Sequence, residues 1–499
     1  MTETDNGVDA RGPATDSSKS WRAFWRVHFY AGMFALPFIL FMAVTGLVIL
    51  YTQPIQDLTG SDVRTVEPQA KRASLDDQAA AAQTAYPKAK LQSLITPTDG
   101  GHSTIFGADD GELEIYVNPY TAKVLGSAKP GDDLVGVSNR LHGYLDNEAI
   151  TVKLPTVSAL WDGEAVMRPY VVGDLLLEVM GAWTLVLVLS GLYLYWPRRS
   201  ASGDNGRRPG FFTIRRGVTG RARWRDVHGL SGAVLLVAML LTIISGMAWS
   251  TYWGPNFTAL ANEITPNTWT DAPPSVLGRK GDLDRLGNKI NWNTADRPIP
   301  ASYSPKRHDG TTPAPLSLDT VAAIARREGM KPGYSINFPA NVTEKAKGTT
   351  YGSFTLSNSW PRKTGEAKDV FLDQFSGKHL AEQKSFGYGS ISYALDTMVS
   401  THMGTQLGIF SRIMMTLLCV LAIVSSTSGL AMFFRRRRPG TAGLPRRPID
   451  IRFGRRTKAL VVAFGVMFPV WGASAIVILG LDRFVIRKVP RLASAFGQR

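Results

Sequence analysis

The chain has 499 residues and a formal net charge of +16. Its near-zero mean hydropathy averages over strongly apolar and strongly polar blocks, which excludes one ordinary soluble domain. So basic a chain raises the question of nucleic acid, but the positions of its charges argue against that partner.

In chain order, residues 1–24 are polar and read as a disordered N-terminus. Residues 25–50 form the first apolar stretch of about 20 residues or more, the length that crosses a hydrocarbon core. Residues 51–170 are polar and acidic on balance, with a helical pattern over Leu75 to Tyr86 and an alternating strand over Leu113 to Val117. The second span is 171–196. The following segment, 197–226, holds nine arginines against Asp204 and Asp226. The third span is 227–250. Residues 251–400 form a second polar block, with an irregular Pro- and Gly-rich insertion at 254–315, a helix over Leu318 to Glu328 and a strand at Val370 to Leu372. The fourth span, 401–434, runs into Arg435 to Arg438, which open the basic loop 435–458. The segment 459–481 is apolar, but Pro469 interrupts it, so it fits a fifth span or a re-entrant hairpin. A basic tail, 482–499, follows.

The arginines flank membrane helices, as the positive-inside rule requires. They put the N-terminus and both basic loops in the cytoplasm, with contact to lipid. The two large polar blocks then lie outside. Cys419, the single cysteine, falls inside the fourth span, so the chain has no disulfide and no CxxCH for covalent haem attachment. Any haem would be b-type.

An internal repeat organises the spans. The first opens Trp25-Arg26-Val27-His28, with Gly32 one turn on and Thr45-Gly46 at its far end. The third opens Trp224-Arg225-Asp226-Val227-His228, with Gly232 and Ser245-Gly246 at matching offsets. The second and fourth spans share Ser190-Gly191-Leu192 and Ser428-Gly429-Leu430, and each is preceded by a histidine, His142 or His402. The polar blocks repeat too, each ending its strand in a short turn: Asn118-Pro119-Tyr120-Thr121 and Asp373-Gln374-Phe375-Ser376-Gly377. The unit is histidine, span, outer domain, histidine, span.

These motifs, together with Gly191-Leu192-Tyr193-Leu194-Tyr195-Trp196-Pro197-Arg198 and Leu481-Asp482-Arg483, resemble the PepSY-associated transmembrane proteins. That group includes iron-regulated membrane proteins and inner-membrane ferric-siderophore reductases. The resemblance covers about Trp21 to Arg491. It implies a mainly α membrane protein, a four-helix transmembrane bundle with periplasmic α+β PepSY-type modules between spans 1 and 2 and between spans 3 and 4. It also implies bound haem relaying electrons outward to ferric iron.

The residues point the same way. A histidine within a bilayer is costly and usually faces the bundle interior. Neutral imidazoles of His28 and His228 can take both axial positions of one haem iron, and His142 and His402 those of a second. The 17 residues from His28 to Thr45 cover roughly 26 Å of a ~30 Å apolar core. Gly32, Gly232, Gly191 and Gly429 at one level, and Gly46 and Gly246 at the other, leave room for a flat macrocycle, although small-residue helix packing is the plain alternative. His402 precedes Ser428 by 26 residues, the length of one continuous helix, whereas His142 precedes Ser190 by 48. About 22 extra residues, including Pro155 and Pro169, therefore separate His142 from its span, so its place at the site depends on how that insertion folds. Met403 is an alternative ligand to His402. His102, His308 and His379 read as solvated surface residues, and Trp249, Tyr252 and Trp253 as an interfacial belt.

The expected function is haem-b electron transfer from a cytoplasmic or quinol donor to a periplasmic acceptor, with ferric-siderophore iron implied by the resemblance. Whether the chain is an enzyme stays open and leans to a ferric-reductase type of oxidoreductase. No G-x-G-x-x-G element follows a strand, so no flavin or nicotinamide domain is expected. The alternative is a non-enzymatic, membrane-anchored binding or regulatory protein. Metal transport is the weakest reading, since only Asp174 and Glu178 put carboxylates in a span.

Overall fold

A computed structural model describes residues 16–147, 149–156, 167–196, 213–269, 272–286, 294–295, 297–303, 312–345, 348–358, 362–437, 443–445 and 454–496. His308, Pro197, Arg198 and Arg438 lie outside them. The first repeat comprises α1 (Asp16–Leu50), α2 (Thr52–Thr59), α3 (Ser61–Arg64), α4 (Leu75–Ala85), β1 (Leu91–Ile95), β2 (Thr104–Ala108), β3 (Leu113–Val117), β4 (Val124–Ala128), α5 (Leu134–Tyr144), β5 (Thr151–Pro155), β6 (Met167–Val171) and α6 (Val172–Tyr195). The second comprises α7 (Gly220–Met247), α8 (Trp253–Ile264), α9 (Leu318–Arg327), β7 (Ser335–Asn337), β8 (Val342–Glu344), β9 (Gly348–Thr350), β10 (Ser353–Ser357), β11 (Lys368–Asp373), β12 (His379–Lys384), α10 (Ser390–His402) and α11 (Ile409–Arg436). Beyond them lie α12 (Arg455–Met467), α13 (Pro469–Leu481) and α14 (Pro490–Ala495).

Among the described residues, five helical segments are long and apolar enough to cross a membrane: Ser20–Leu50, Val172–Tyr195, Gly220–Met247, Ile409–Arg436 and Pro469–Ile486. The chain divides into two compact units. One holds residues up to Val44, Leu175–Ile243 and the chain from Leu418 onward; the other holds Thr45–Asp174 and Ile244–Leu417.

In the first unit, Pro469 does more than interrupt an apolar run. Phe468 leaves helical geometry (φ −121°, ψ 78°), Pro469 restarts the helix at its first turn, and the chain bends sharply. A Cβ on Gly472 would lie 3.0 Å from the Gly465 carbonyl oxygen, so a side chain there would crowd the turn. Trp471 packs on Trp183 of α6 with ring centres 5.4 Å apart, and the Trp183 indole N–H donates to Ser474 Oγ at 3.1 Å.

The second unit is built on one eight-stranded antiparallel sheet, ordered β12-β11-β10-β7-β1-β2-β3-β4. Both polar blocks contribute four strands, and they join where β1 pairs with β7, Leu94 opposite Ile336. Helices α4 and α9 bury their apolar faces, including Ala82, Val321 and Ala325, in a core shared with Leu94, Phe106, Ile115, Ile336, Leu356 and Leu372. The two turn motifs are conformational copies. Asn118 Oδ1 accepts from the Tyr120 and Thr121 N–H groups, and Asp373 Oδ1 from those of Phe375 and Ser376. The fifth turn residue has positive φ in both cases, Ala122 at 56° and Gly377 at 68°.

The described residues of the 254–315 stretch include regular and buried structure despite its Pro and Gly content. It begins within α8, and further on the buried Lys280 ammonium pairs with Asp369 of β11 and donates to Thr294 Oγ1 at 2.7 Å. An ion pair taken out of water holds its segment only if both partners remain.

The two halves also cap each other's helices. Asp76 accepts from the Leu318 and Asp319 N–H groups at 2.8 and 3.3 Å, while Asp319 accepts from those of Leu75 and Asp76 at 3.0 and 3.4 Å. Each carboxylate thus meets the positive end of the other helix. Burial works against ionisation of Asp319, but the Leu75 and Asp76 hydrogen bonds outweigh it and hold the carboxyl below its ordinary value. Asp76→Ala and Asp319→Ala should each destabilise the sheet unit by about 1 kcal/mol, and the pair by less than the sum. Because the Asp319 pKa is depressed on folding, its contribution is present above about pH 4 and is lost as pH falls through the lower folded value. Thermal unfolding as a function of pH checks both statements; a flat acid limb in wild type would contradict the second.

Candidate functional site

The structure brings the four repeat histidines together as two pairs. In the first unit His28 of α1 faces His228 of α7, with ring centres 6.2 Å apart and planes at 73°. In the second unit His142 of α5 faces His402 of α10, with centres 6.5 Å apart and planes at 69°. Each pair takes one histidine from each repeat.

Each ring is held through Nδ1. His28 Nδ1 lies 3.0 Å from the Leu187 carbonyl oxygen and 3.1 Å from Ser190 Oγ. His228 Nδ1 lies 2.9 Å from the Ser425 carbonyl and 3.4 Å from Ser428 Oγ. A carbonyl only accepts, so both Nδ1 atoms carry the proton. Their Nε2 lone pairs are then free for a metal, as in most histidine ligation. At the other pair the partners are hydroxyls, Thr45 Oγ1 at 2.8 Å from His142 Nδ1 and Ser245 Oγ at 3.0 Å from His402 Nδ1. Burial, with the neighbouring His402, pushes the His142 pKa down to about 3, so this imidazole is neutral at physiological pH. A ligand must be neutral in this way.

The ring separations test what each pair can hold. With nitrogen about 2.0 Å from a metal and about 1.15 Å from its own ring centre, imidazoles on opposite sides of one ion sit roughly 6.3 Å apart, whereas a tetrahedral ion would bring them to about 5 Å. Both observed separations match the linear arrangement. Both are longer than a tetrahedral ion would bring them.

The glycines divide by role. A Cβ on Gly191 would lie 3.0 Å from His28 Cε1, and one on Gly429 would lie 3.4 Å from His228 Cε1, so these two make room for the histidine rings themselves. Gly246 would place its Cβ 3.7 Å from His402 Cε1, and Gly32 faces Leu187 at 3.3 Å. Nothing among the described residues lies within 4 Å of a Cβ built on Gly232. Gly46 lies within α1, next to Thr45.

Several sequence expectations change. His402 does not open a helix continuous with the fourth span: α10 ends at His402, and Gly404 and Gly408 take positive φ, at 72° and 58°, before α11 begins. His142 sits on the equivalent short helix, with Leu145 in the left-handed region closing α5. The extra residues after His142 include the β5–β6 hairpin, which separates α5 from α6 without displacing the histidine. Met403 caps α10. Tyr252 is buried rather than part of a belt, its hydroxyl donating to the Pro155 carbonyl at 3.1 Å and its ring against Tyr170, while Trp249 is exposed.

Sequence reasoning missed the Nδ1 partners. Thr45, Ser190, Ser245 and Ser428 all stood in the repeat motifs, next to the glycines that drew attention, and a hydroxyl residue at each matching offset was the available signal. Among the described residues one further group, Glu328, His379 and Glu382, brings three ligand atoms within 4.8 Å of one another. The Lys368 ammonium pairs with both carboxylates, at 3.1 and 3.2 Å, which makes it an ion-pair network. His379 is exposed.

Five apolar helices make the chain a multi-pass membrane protein, mainly helical with a sheet region. The chain matches the family model described as the PepSY-associated TM region over residues 25–436, and it belongs to that family. A comparison with curated proteins returned no match.

His102 is not the solvated residue expected. It is half-buried, with Nδ1 2.7 Å from Asp99 Oδ1 and Nε2 3.3 Å from Asp57 Oδ1 on α2. Burial alone would lower its pKa, but hydrogen bonds to Asp99 and Asp57 outweigh it and hold the group above its ordinary value. The charged clasp therefore supports the fold fully below about pH 6.5 and is lost as pH rises through the higher folded value. His102→Gln should remove this slope and about 0.5–1 kcal/mol of stability on its acid side. Thermal melts across neutral pH measure it; an unchanged profile would contradict the clasp.

Proposed function

We propose that this protein carries electrons across the bacterial inner membrane on two b-type haems, from a cytoplasmic or quinol donor to a periplasmic acceptor, with siderophore-bound ferric iron as the acceptor class. The observation that carries the reading is the pair of facing imidazoles at a linear two-ligand separation, found twice. His28 and His228 would hold one haem near the cytoplasmic face, and His142 and His402 the other near the periplasmic face. When bound, haem supplies a one-electron iron couple with both axial positions filled, which favours electron transfer over oxygen chemistry.

The protein's own groups do the rest. The Leu187 and Ser425 carbonyls fix the tautomer of His28 and His228 and so present Nε2. Gly191 and Gly429 let those rings approach α6 and α11. The two halves of the eight-stranded sheet are read as the PepSY-type modules on the periplasmic side, where the acceptor would dock.

Detergent-purified protein should show a Soret band and two b haems per chain. The His28→Ala, His228→Ala double variant should lose about half of that haem, since removing both ligands of one site leaves the other intact. Absence of a Soret band, or one unchanged in the double variant, would sink the assignment and favour a binding or regulatory protein. Gly191→Val should act like loss of His28, because the added methyls occupy the ring's position. The near-perpendicular ring planes also predict strongly anisotropic low-spin ferric signals in electron paramagnetic resonance; a wholly rhombic spectrum would contradict the ring orientation at both sites.

A further inference from the structure

The segment Pro469–Ile486 is long and apolar enough to cross a membrane by itself, yet its contacts bring both of its flanks to one side. Helix α12 leads directly into α13, and the two fold back on each other. The Phe464 and Trp471 rings lie 4.6 Å apart, and a Cβ on Gly472 would sit 3.3 Å from Gly465 Cα. Residues seven apart in one straight helix are separated by roughly 10 Å.

The depth of the turn can be read from α6. Trp471 packs on Trp183, whose indole donates to Ser474, and Trp183 stands at the middle of the span Val172–Tyr195. From there the chain returns to the start of α1. The Phe496 carbonyl accepts from Arg26 Nη2 at 3.3 Å, and the Phe496 ring stacks on Tyr30 with centres 6.1 Å apart. At this same end of the bundle Phe24 of α1 meets Tyr193 of α6 at 4.1 Å. Charge agrees with the contacts. Arg455, Arg456 and Lys458 open α12, and Arg483, Arg487, Lys488 and Arg491 follow α13, so both flanks carry the basic residues that resist translocation.

We infer that α12 and α13 form a re-entrant hairpin. It enters the bilayer from the side of the N-terminus, turns at Phe468–Pro469 near the midplane and leaves on the side it entered, its outer surface against the acyl chains of that one leaflet. The lengths fit. Helix from Lys458 to the turn covers about 15 Å, half of a ~30 Å apolar core, and the 13 residues of α13 return roughly 20 Å to the headgroups. There Asp482 is paired with Arg487 at 2.6 Å. Burial fits as well. Leu460, Val462, Val466, Ile476 and Leu479 are exposed, as lipid-facing side chains are, whereas Phe468 and Trp471 at the turn are buried. Backbone that leaves helical geometry at membrane depth needs protein around it, and α6 supplies that cover at the turn. Ser474 Oγ donates to the Trp471 carbonyl at 2.7 Å, which satisfies a further main-chain group there. None of this depends on haem.

Two measurements on the full chain test the hairpin. In a Cys419→Ala background, Ser20→Cys, Arg455→Cys, Ser494→Cys and, in the polar block after α1, Glu112→Cys are treated with a membrane-impermeant maleimide in right-side-out and in inverted vesicles. The first three should react in one vesicle orientation and Glu112→Cys in the other. Ser494→Cys reacting together with Glu112→Cys would make α13 a fifth span and overturn the inference. Spin labels at Leu460→Cys, Val466→Cys, Ile476→Cys and Phe484→Cys, in phosphatidylethanolamine–phosphatidylglycerol vesicles, then report depth as collisions with oxygen against a water-soluble nickel complex. The hairpin requires the oxygen preference to peak at Val466 and to fall toward both Leu460 and Phe484. A peak at Ile476, with shallow values at Val466 and Phe484, is the profile of a crossing helix. Labels reached by neither reagent would put a protein surface such as a second copy against the hairpin, and nickel access at all four would put it in water; either result also overturns the inference.

Discussion

The hydrogen bond at Nδ1 is the contact on which the arrangement of both pairs depends. A free imidazole has two equivalent-looking nitrogens and a freely turning ring, and neither state is useful as a ligand. Fixing one nitrogen orients the ring, and where the partner is a carbonyl it also settles the tautomer. In the first unit the acceptor is the carbonyl of the residue four positions before Gly191 or Gly429. In a helix that carbonyl normally faces the N–H four residues on, the N–H of the glycine itself. A side chain there would crowd the imidazole approaching the same oxygen. The Leu187–Ser190–Gly191 and Ser425–Ser428–Gly429 patterns are thus single devices, each a carbonyl, a hydroxyl and a gap cut for one ring.

Much of this could be read from the amino-acid sequence because it is written twice. The offsets from His28 to Gly32 and Gly46, and from His228 to Gly232 and Gly246, fixed which residues are counterparts before any geometry was known. The α4 and α9 helices and the β3 and β11 strands were equally clear, since amphipathic spacing and alternation are local properties. The role of Gly191 was not. A glycine beside a span's end looks the same whether it makes room for a cofactor, for a neighbouring helix or for a histidine ring. Only the position of His28, 163 residues away in the chain, distinguishes them.

His142 and His402 show the converse difficulty. Counting residues favoured His402, because 26 positions fit one helix to Ser428. The count happened to suit a structure that is not there: α10 stops, Gly404 and Gly408 turn the chain, and α11 starts afresh. The longer count for His142 includes a β-hairpin inserted at the same junction. A hairpin returns the chain close to where it left, so the insertion hardly affects what precedes it. Chain length between two points constrains their separation only if the intervening structure is known.

The repeats meet in the same manner throughout. Each histidine pair draws one ring from each, β1 pairs with β7 across them, and Asp76 and Asp319 exchange helix N-termini between them. One repeat alone would hold half of each histidine pair, four strands with an open edge at β1, and a helix whose first N–H groups lack their carboxylate. Exposed strand edges and orphaned helix ends are liabilities. A lone repeat would need a second copy across a two-fold axis to complete every one of these features at once. Joining both copies in one chain fixes their ratio at one to one. It also lets the two differ, as they do in the hairpin after His142 and in Thr45 against Ser245, without the symmetry that identical subunits would impose.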